Sequence, residues 1–480
     1  MEALSEKPHP PSFARHLSAW VVMPAVSLLL YAGALALLAR LVDIGSMPAD
    51  SARFWLAGSS IAAGAIYLIC LHRVGTLRLA IPTWWIMACA VAARLVVGSA
   101  PALIETDYYR YFWDGAVVAH GVNPYRHAPA DVLAGAVAGT NTETLRALAH
   151  ESGAALERVN HPNLTTIYPP LAQIWFAVAY WVQPFGITGW RVVLCLADAL
   201  ATLLLARTLK ALSLPAHQMA WLAWNPLLLR EVYSALHMDM LALPLVAGAV
   251  YAAVRSRHTI GATLCVAASA VKVWPIVLTP LLLRPLLGEW RRLAISAAAC
   301  AILFGLLWFP VFLVPQGQSS GFLAYGATWQ NNDGFFRAGI WLTEIILSTI
   351  SAEPWRSHRI MRIVAASLLL AVVLSQCLRR IERPGEVVGR ALVIVGAIFL
   401  LSPTQFPWYW LWCLPMLAIR PSLPLLLYVA LLPLFYIQSS IPLVYWIEHG
   451  PVWSLLIAVG ARGLRGRGAG AKPDPEAGCA

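Results

Sequence analysis

Fourteen apolar runs, separated by short polar or proline-bearing joints, restrict this chain more than any other feature. They lie near 17–42, 54–71, 80–99, 168–186, 190–206, 217–234, 237–254, 259–283, 293–314, 361–377, 389–402, 405–420, 422–437 and 441–461. A run approaching twenty apolar residues can cross a bilayer, and there every backbone polar group has to bond within its own segment, so the runs are helices. Hydrophobic residues make up 59% of the 480 and charged residues only 12%, about half the charged share of a soluble domain. The fold class is therefore all-α, a polytopic transmembrane bundle. The formal charge of +11 does not point to nucleic acid, because its Lys and Arg sit mainly in short loops and a tail, as the positive-inside bias requires.

That bias sets an expected topology. Lys7 and Arg15 precede the first run, Asp43 and Asp50 follow it, and Arg73 with Arg78 follows the second. The tail carries Arg462, Arg465, Arg467 and Lys472. Both termini are then cytoplasmic, and the number of full crossings is even, about twelve. The chain divides into a cytoplasmic tail (1–16), three spans (17–99), an extracytoplasmic loop (100–167), the remaining spans (168–461) and a basic, disordered tail (462–480). Two joints break the alternation. Arg255/Arg257 and Arg284/Arg291/Arg292 both read as cytoplasmic across a single run, so that run, which holds Lys272-Val-Trp-Pro275, is expected to be broken and re-entrant. Arg207 and Lys210 after 168–206 pose the same conflict without a solution in the sequence. Cys70, Cys89, Cys195, Cys265, Cys300, Cys377 and Cys413 lie in apolar runs with no Cys-x-x-Cys pair, and read as small buried apolar residues. No internal repeat is visible.

The polar loop opens with Glu105 to Tyr125. At helical period, Asp107, Arg110, Tyr111, Asp114 and Val118 share one face, while Tyr109, Phe112, Trp113, Ala116 and His120 share the other. Thr106 is placed to cap this helix and Gly121 to end it, before Asn123-Pro124 forces the chain out of α geometry. Such a helix is expected to lie at the bilayer surface, its aromatic face on lipid or on the spans and its carboxylates toward water or a cavity. Thr140-Asn-Thr-Glu143 reads as a capping box opening a second amphipathic helix through about Arg158.

Charges beside spans need a reason, because each costs on the order of 2.5–3.5 kcal/mol at mid-membrane. Glu105, Asp107, Arg110 and Asp114 form the strongest set; the plain alternative is a solvated face with i,i+3 and i,i+4 ion pairs. A second set runs from Asn225-Pro226 through Glu231 to His237 and Asp239, equally readable as a buried proline break. Lys272 with Pro275 reads as a snorkelling lysine or a phosphate ligand. Ser402-Pro-Thr-Gln-Phe-Pro-Trp-Tyr-Trp410 reads as an aromatic belt or a site wall, and Tyr168-Pro-Pro170 as a rigid helix start.

Taken together, Asp107-x-x-Arg110-Tyr-x-Trp-Asp-Gly115, Gly121-x-Asn-Pro-Tyr125, Asn160-His-Pro and Thr166-Ile-Tyr-Pro-Pro-x-x-Gln173 resemble the GT-C glycosyltransferases. The resemblance is to bacterial glycosyltransferase family 87 and to mannosyltransferases of the glycosylphosphatidylinositol-mannosyltransferase catalytic-subunit type. It extends through Asn225-Pro, His237-x-Asp239, Lys272-x-x-Pro275 and Ser402-Pro-Thr…Pro407-Trp-Tyr409, covering most of 80–420. It implies a plasma-membrane hexosyltransferase, with mannose the favoured sugar. Such an enzyme takes sugar from a polyprenyl-phosphate donor to a lipid-linked or cell-envelope glycan acceptor, at a site on the outer face.

Three spans precede the acidic loop where many relatives have one, and Glu105-Thr-Asp107 stands where the resemblance often has Asp-x-Asp. A lipid phosphate leaves with its charge already formed, so it needs cations, which Arg110, His237 or Lys272 could supply, and no general acid. The acceptor hydroxyl needs one carboxylate, which means direct displacement with inversion. Asp107 is assigned as that base. Glu105, Arg110, Tyr111, Asp114, Asn123, Tyr125, His161, Tyr168, His237, Asp239, Lys272, Gln405, Trp408 and Tyr409 are assigned to donor or acceptor binding. No cofactor is expected and no metal constellation stands out, Glu105/Asp107 being left open as a divalent-ion pair. The competing class is a secondary transporter or lipid-linked sugar flippase, which would more often show repeats and mid-membrane charges.

Overall fold

A computed structural model describes residues 18–468 except 316, 318, 351, 352 and 354; among these the regular elements are all helices, with one isolated bridge between Asn331 and Thr404. Lys7, Arg15 and Lys472 lie outside the described residues. The final helix, Val444–Gly468, continues past the expected start of a disordered tail at 462.

The chain opens with α1 (Ala19–Asp43), α2 (Ala49–Thr76) and α3 (Thr83–Gly98), then α4 (Tyr108–Ala119), the short α5 (Pro129–Leu133) and α6 (Thr142–Glu151), followed by α7 (Pro170–Val182) and α8 (Ile187–Ala211). Among the described residues five helices are long and apolar enough to cross a membrane: α1, α2, α8, Trp290–Phe312 and Arg356–Leu378. Ala216–Ser234 and Met238–Val254 make a sixth candidate, bent by 111°. Thr83–Gly98, Pro170–Val182, His258–Ser269, Trp274–Leu286 and Leu423–Ile437 are shorter apolar helices. The helix Gly334–Thr349 was not foreseen, since no long apolar run marks it.

The two joints that break the charge alternation hold a short helix and a folded-back one. Along α4 and α7, Asp114 meets Gln173, Gly115 meets Phe176 and His120 meets Tyr180, so the helices run side by side in the same direction. At 1.5 Å per residue the 13 residues of α7 reach only about 20 Å, short of the ~30 Å hydrocarbon core. Of the stretch 168–206, α8 alone is long and apolar enough to cross a membrane. The run 259–283 breaks at Ala270–Val273 between His258–Ser269 and Trp274–Leu286, and its legs return together: Gly261 faces Leu282. Lys272 stands at the tip of this hairpin. The Ala270 carbonyl accepts from the amides of Leu171 and Ala172 at 2.7 and 3.1 Å. Those are orphan donors of the first turn of α7, which begins at Pro170 after Pro169.

Several local expectations are corrected. The first loop helix starts at Tyr108 after Asp107, and the Thr106 hydroxyl bonds to Asn160 rather than capping it. Gly121 does close it, at φ +73°. Both faces of α4 are packed: Arg110, Tyr111 and Asp114 are buried, as are Phe112, Trp113 and Ala116. It is an interior helix, held because its motif glycine lets α7 approach. The capping box is not formed: α6 starts after Asn141 with no side-chain cap and ends at Glu151. The Thr142 hydroxyl instead donates to the carbonyls of Val137 and Gly139. Cys195 is exposed and Cys377 intermediate, so not every cysteine is a buried apolar filler.

A Cβ on Gly115 would lie 2.4 Å from the Phe176 carbonyl oxygen. Gly115→Ala is accordingly expected to push α4 off α7 and cost about 1–3 kcal/mol by overpacking. Thermal unfolding of the purified protein checks this; an unchanged Tm would mean the helices do not approach so closely.

Candidate active site

A cavity of about 220 Å³ lies where α4, the 160–168 segment, the 270–273 tip and the aromatic 406–409 turn meet. Glu105, Asp107, Arg110 and Tyr111 line it from the first loop, with His161 and Tyr168 from that loop's end. Asp239, Lys272, Trp408 and Tyr409 line it from the later helices. Ten of the residues singled out in the sequence thus face one space.

Backbone geometry aims the acidic side. The Leu103 amide donates to the Ser234 carbonyl at 3.1 Å, and Ile104 adopts φ +69°, turning Glu105 and Asp107 toward the cavity. Leu236 at the 111° corner and His161 at the opposite wall are also left-handed, at φ +67° and +50°. Non-glycine residues in that region cost of order 1–3 kcal/mol each and cluster at functional sites. Asp107 keeps 29% of its side-chain surface accessible. Its Oδ1 accepts from Asn160 Nδ2 at 2.9 Å, and its Oδ2 lies 3.9 Å from His237 Nδ1. Burial raises its carboxyl above the ordinary aspartate value, against the pull of the Asn160 amide and of Lys272. Glu105 is pushed up to about 8 by burial, with Arg230 opposing and Asp107 adding to the shift.

The cations are placed differently. Arg110 Nη2 donates to the Leu164 carbonyl at 2.6 Å, its guanidinium stands 3.9 Å from Asp114, and its buried Nη1 has no partner among the described residues. Lys272 Nζ pairs with Asp239 at 3.2 Å and sits 4.4 Å from the centroid of the Tyr409 ring. Asp239 is fixed from its other side by Trp412 Nε1 at 2.7 Å. Among the described residues, no three His, Cys, Asp or Glu side chains gather as a metal-ligand set.

Five expected site residues stand outside the lining. His237 is fully buried behind it, stacked on Trp408 at 3.7 Å and 3.5 Å from Glu231. Asp114 accepts from Gln173 at 3.2 Å on the inner side of α4. Asn123 Nδ2 donates to the Pro310 carbonyl at 2.8 Å, and Tyr125 supports the Tyr168 carbonyl at 2.8 Å. Gln405 is spent on the carbonyls of Leu400 and Ser402.

The family model described as alpha-(1->6)-mannopyranosyltransferase, N-terminal domain, matches residues 15–286, more than half of the chain. The chain belongs to this mannosyltransferase family. A second model, the MptB C-terminal domain, matches residues 346–437. No curated protein and no solved structure matches. The chain is thus a membrane-embedded α-mannosyltransferase of the GT-C kind, which moves a sugar from a donor to a glycan acceptor.

In this mannosyltransferase the N-terminal match spans every lining residue from Glu105 to Lys272, and the C-terminal match spans Phe406, Trp408, Tyr409 and Phe435. Tyr325 and Trp329 line the cavity from between the two. They escaped the sequence reading, as did Asn160, Phe406 and Phe435 as lining residues. A signal existed for the first two: Ser320 caps the helix Gly321–Thr328, and Tyr325 and Trp329 follow at i,i+4. The Tyr325 and Tyr409 hydroxyls meet at 2.7 Å and close that wall.

Proposed function

We propose that this enzyme takes mannose from a polyprenyl-phosphate carrier on the extracytoplasmic face and transfers it to a glycan hydroxyl, with Asp107 as the general base. The observation that carries the donor class is a second, apolar cleft of about 330 Å³ that shares Ile167, Tyr168, Lys272, Tyr325 and Tyr409 with the cavity. From Lys272 it runs past Val273, Trp274, Val277, Leu369 and Ile398. A water-soluble nucleotide sugar has no use for such a cleft, whereas a prenyl chain fills it and leaves its phosphate at Lys272. The Nη1 of Arg110, unpartnered among the described residues, offers a second donor to that phosphate.

Asp107 is the carboxylate left for the acceptor. Asp239 is committed to Lys272 and Trp412, and Glu105, held up at about 8, is mostly protonated at neutral pH. Asp107 accepts the hydroxyl proton as the acceptor oxygen forms its bond to the anomeric carbon and the bond to the phosphate oxygen breaks. One base without a covalent intermediate inverts the anomeric centre. An α-linked product then requires a β-linked donor.

The test supplies purified enzyme in detergent with radiolabelled β-mannosyl polyprenyl phosphate, the α-anomer, and nucleotide-linked mannose in separate reactions. Label is expected to reach an oligomannoside acceptor from the β-anomer alone. Transfer from the nucleotide would overturn the donor assignment, and transfer from the α-anomer would overturn inversion.

A further inference from the structure

A separate cleft of about 590 Å³ lies between α3 and α8 and shares no lining residue with the catalytic cavity. Its walls are one stripe from each helix: Met87, Val91 and Leu95 face Val192, Leu196 and Ala199. Val91, Leu95, Val192 and Leu196 are exposed along it, so it opens sideways from the bundle. From Thr188 to Thr202 on α8 it is about 21 Å long. One leaflet of hydrocarbon is about 15 Å deep, so the cleft matches a single leaflet and its interface.

The floor is neutral. Arg94 Nε pairs with Asp198 at 2.5 Å, and the Tyr233 hydroxyl donates to the same carboxylate at 2.7 Å. The end nearer the catalytic loop is cationic. Arg191 donates to the Gly98 and Ala100 carbonyls at 2.7 and 2.6 Å, and its buried Nε has no partner among the described residues. Arg40 reaches Ser99 Oγ at 3.2 Å. Among the described residues neither arginine has a carboxylate within the 4.0 Å of an ion pair. Two uncompensated guanidinium groups at the interface end of a leaflet-length apolar cleft call for an anion with a hydrocarbon tail.

We propose that this cleft is a binding site for an anionic phospholipid, one acyl chain lying along the α3/α8 stripes and the phosphate held at Arg191 and Arg40. The site is independent of the donor cleft at Lys272, so its fate does not depend on the identity of the sugar carrier. Each cation near an anionic headgroup contributes about fivefold in affinity.

Native mass spectrometry of the full enzyme, delipidated in detergent and titrated with phosphatidylglycerol or phosphatidylcholine, tests the proposal. The wild type is expected to retain one phosphatidylglycerol with a preference of about tenfold or more over phosphatidylcholine. Ala199→Trp, an exposed position on the cleft wall, should abolish that retention by filling the space. Arg191→Gln should reduce the preference about fivefold; should it lose the α3 end and unfold, Ala199→Trp still decides. Equal retention of the two lipids by the wild type, or undiminished retention by Ala199→Trp, would overturn the proposal.

Discussion

Asp107→Asn is expected to lower mannosyl transfer by about 10²–10⁴-fold, the usual worth of a general base, in protein that still folds. Asparagine is nearly isosteric, and its carbonyl oxygen can still accept from Asn160 Nδ2, which holds Oδ1 at 2.9 Å. What it cannot do is take a proton from the attacking hydroxyl. The pH profile separates this from a packing defect. The base works only when ionised, and burial raises its pKa above 3.8. Activity should therefore fall as pH drops through a value above the ordinary aspartate range, and that limb should vanish in the variant. Glu105→Gln is the control: with Glu105 near 8, glutamine imitates the form already present at neutral pH, so the rate there should change little. Near-normal turnover by Asp107→Asn would sink the assignment.

Lys272→Gln is expected to lose both transfer and stability, and a double variant tells the two apart. Removing the ammonium leaves the Asp239 carboxylate, 1% accessible, without its counter-charge. Breaking a buried pair from one side costs about 3–5 kcal/mol, eased here by the bond from Trp412. Lys272→Gln/Asp239→Asn removes both charges and should recover most of that loss in thermal unfolding. Transfer should stay lost, because the cation where the cavity and the apolar cleft meet is gone. Recovery of turnover in the double variant would show that Lys272 serves only to neutralise Asp239.

Much of the bundle was legible because period and hydropathy act locally. The long apolar runs became helices near their expected limits, and the broken run at Lys272 folds back on itself. The gathering of Asp107, Asp239 and Lys272 around one space was legible for a different reason, since charges beside spans need partners; His237, expected with them, lies behind the wall instead. What escaped depends on contacts distant in sequence. Nothing in α4 announces that Gly115 will touch Phe176 and bury its charged face; only the pairing with α7 does that. The Thr106 and Thr140 caps failed for a related reason. Asn160 takes the Thr106 hydroxyl, and Thr142 turns back to Gly139. Gly334–Thr349 was missed because Arg337 and Glu344 interrupt its apolar residues.

The bond pair from Leu171 and Ala172 to the Ala270 carbonyl also sets a timetable. α7 and the tip that anchors it are separated by about a hundred residues, which a ribosome working at roughly 5–20 residues per second takes on the order of 5–20 s to deliver. Through that interval the acidic loop is already made, yet the first turn of its supporting helix has no acceptor. The wall that carries Trp408 arrives later still. A nascent chain stalled before Ala270 thus holds Asp107 in a half-built pocket. Catalytic competence comes late in biosynthesis, after the membrane has received nearly every helix.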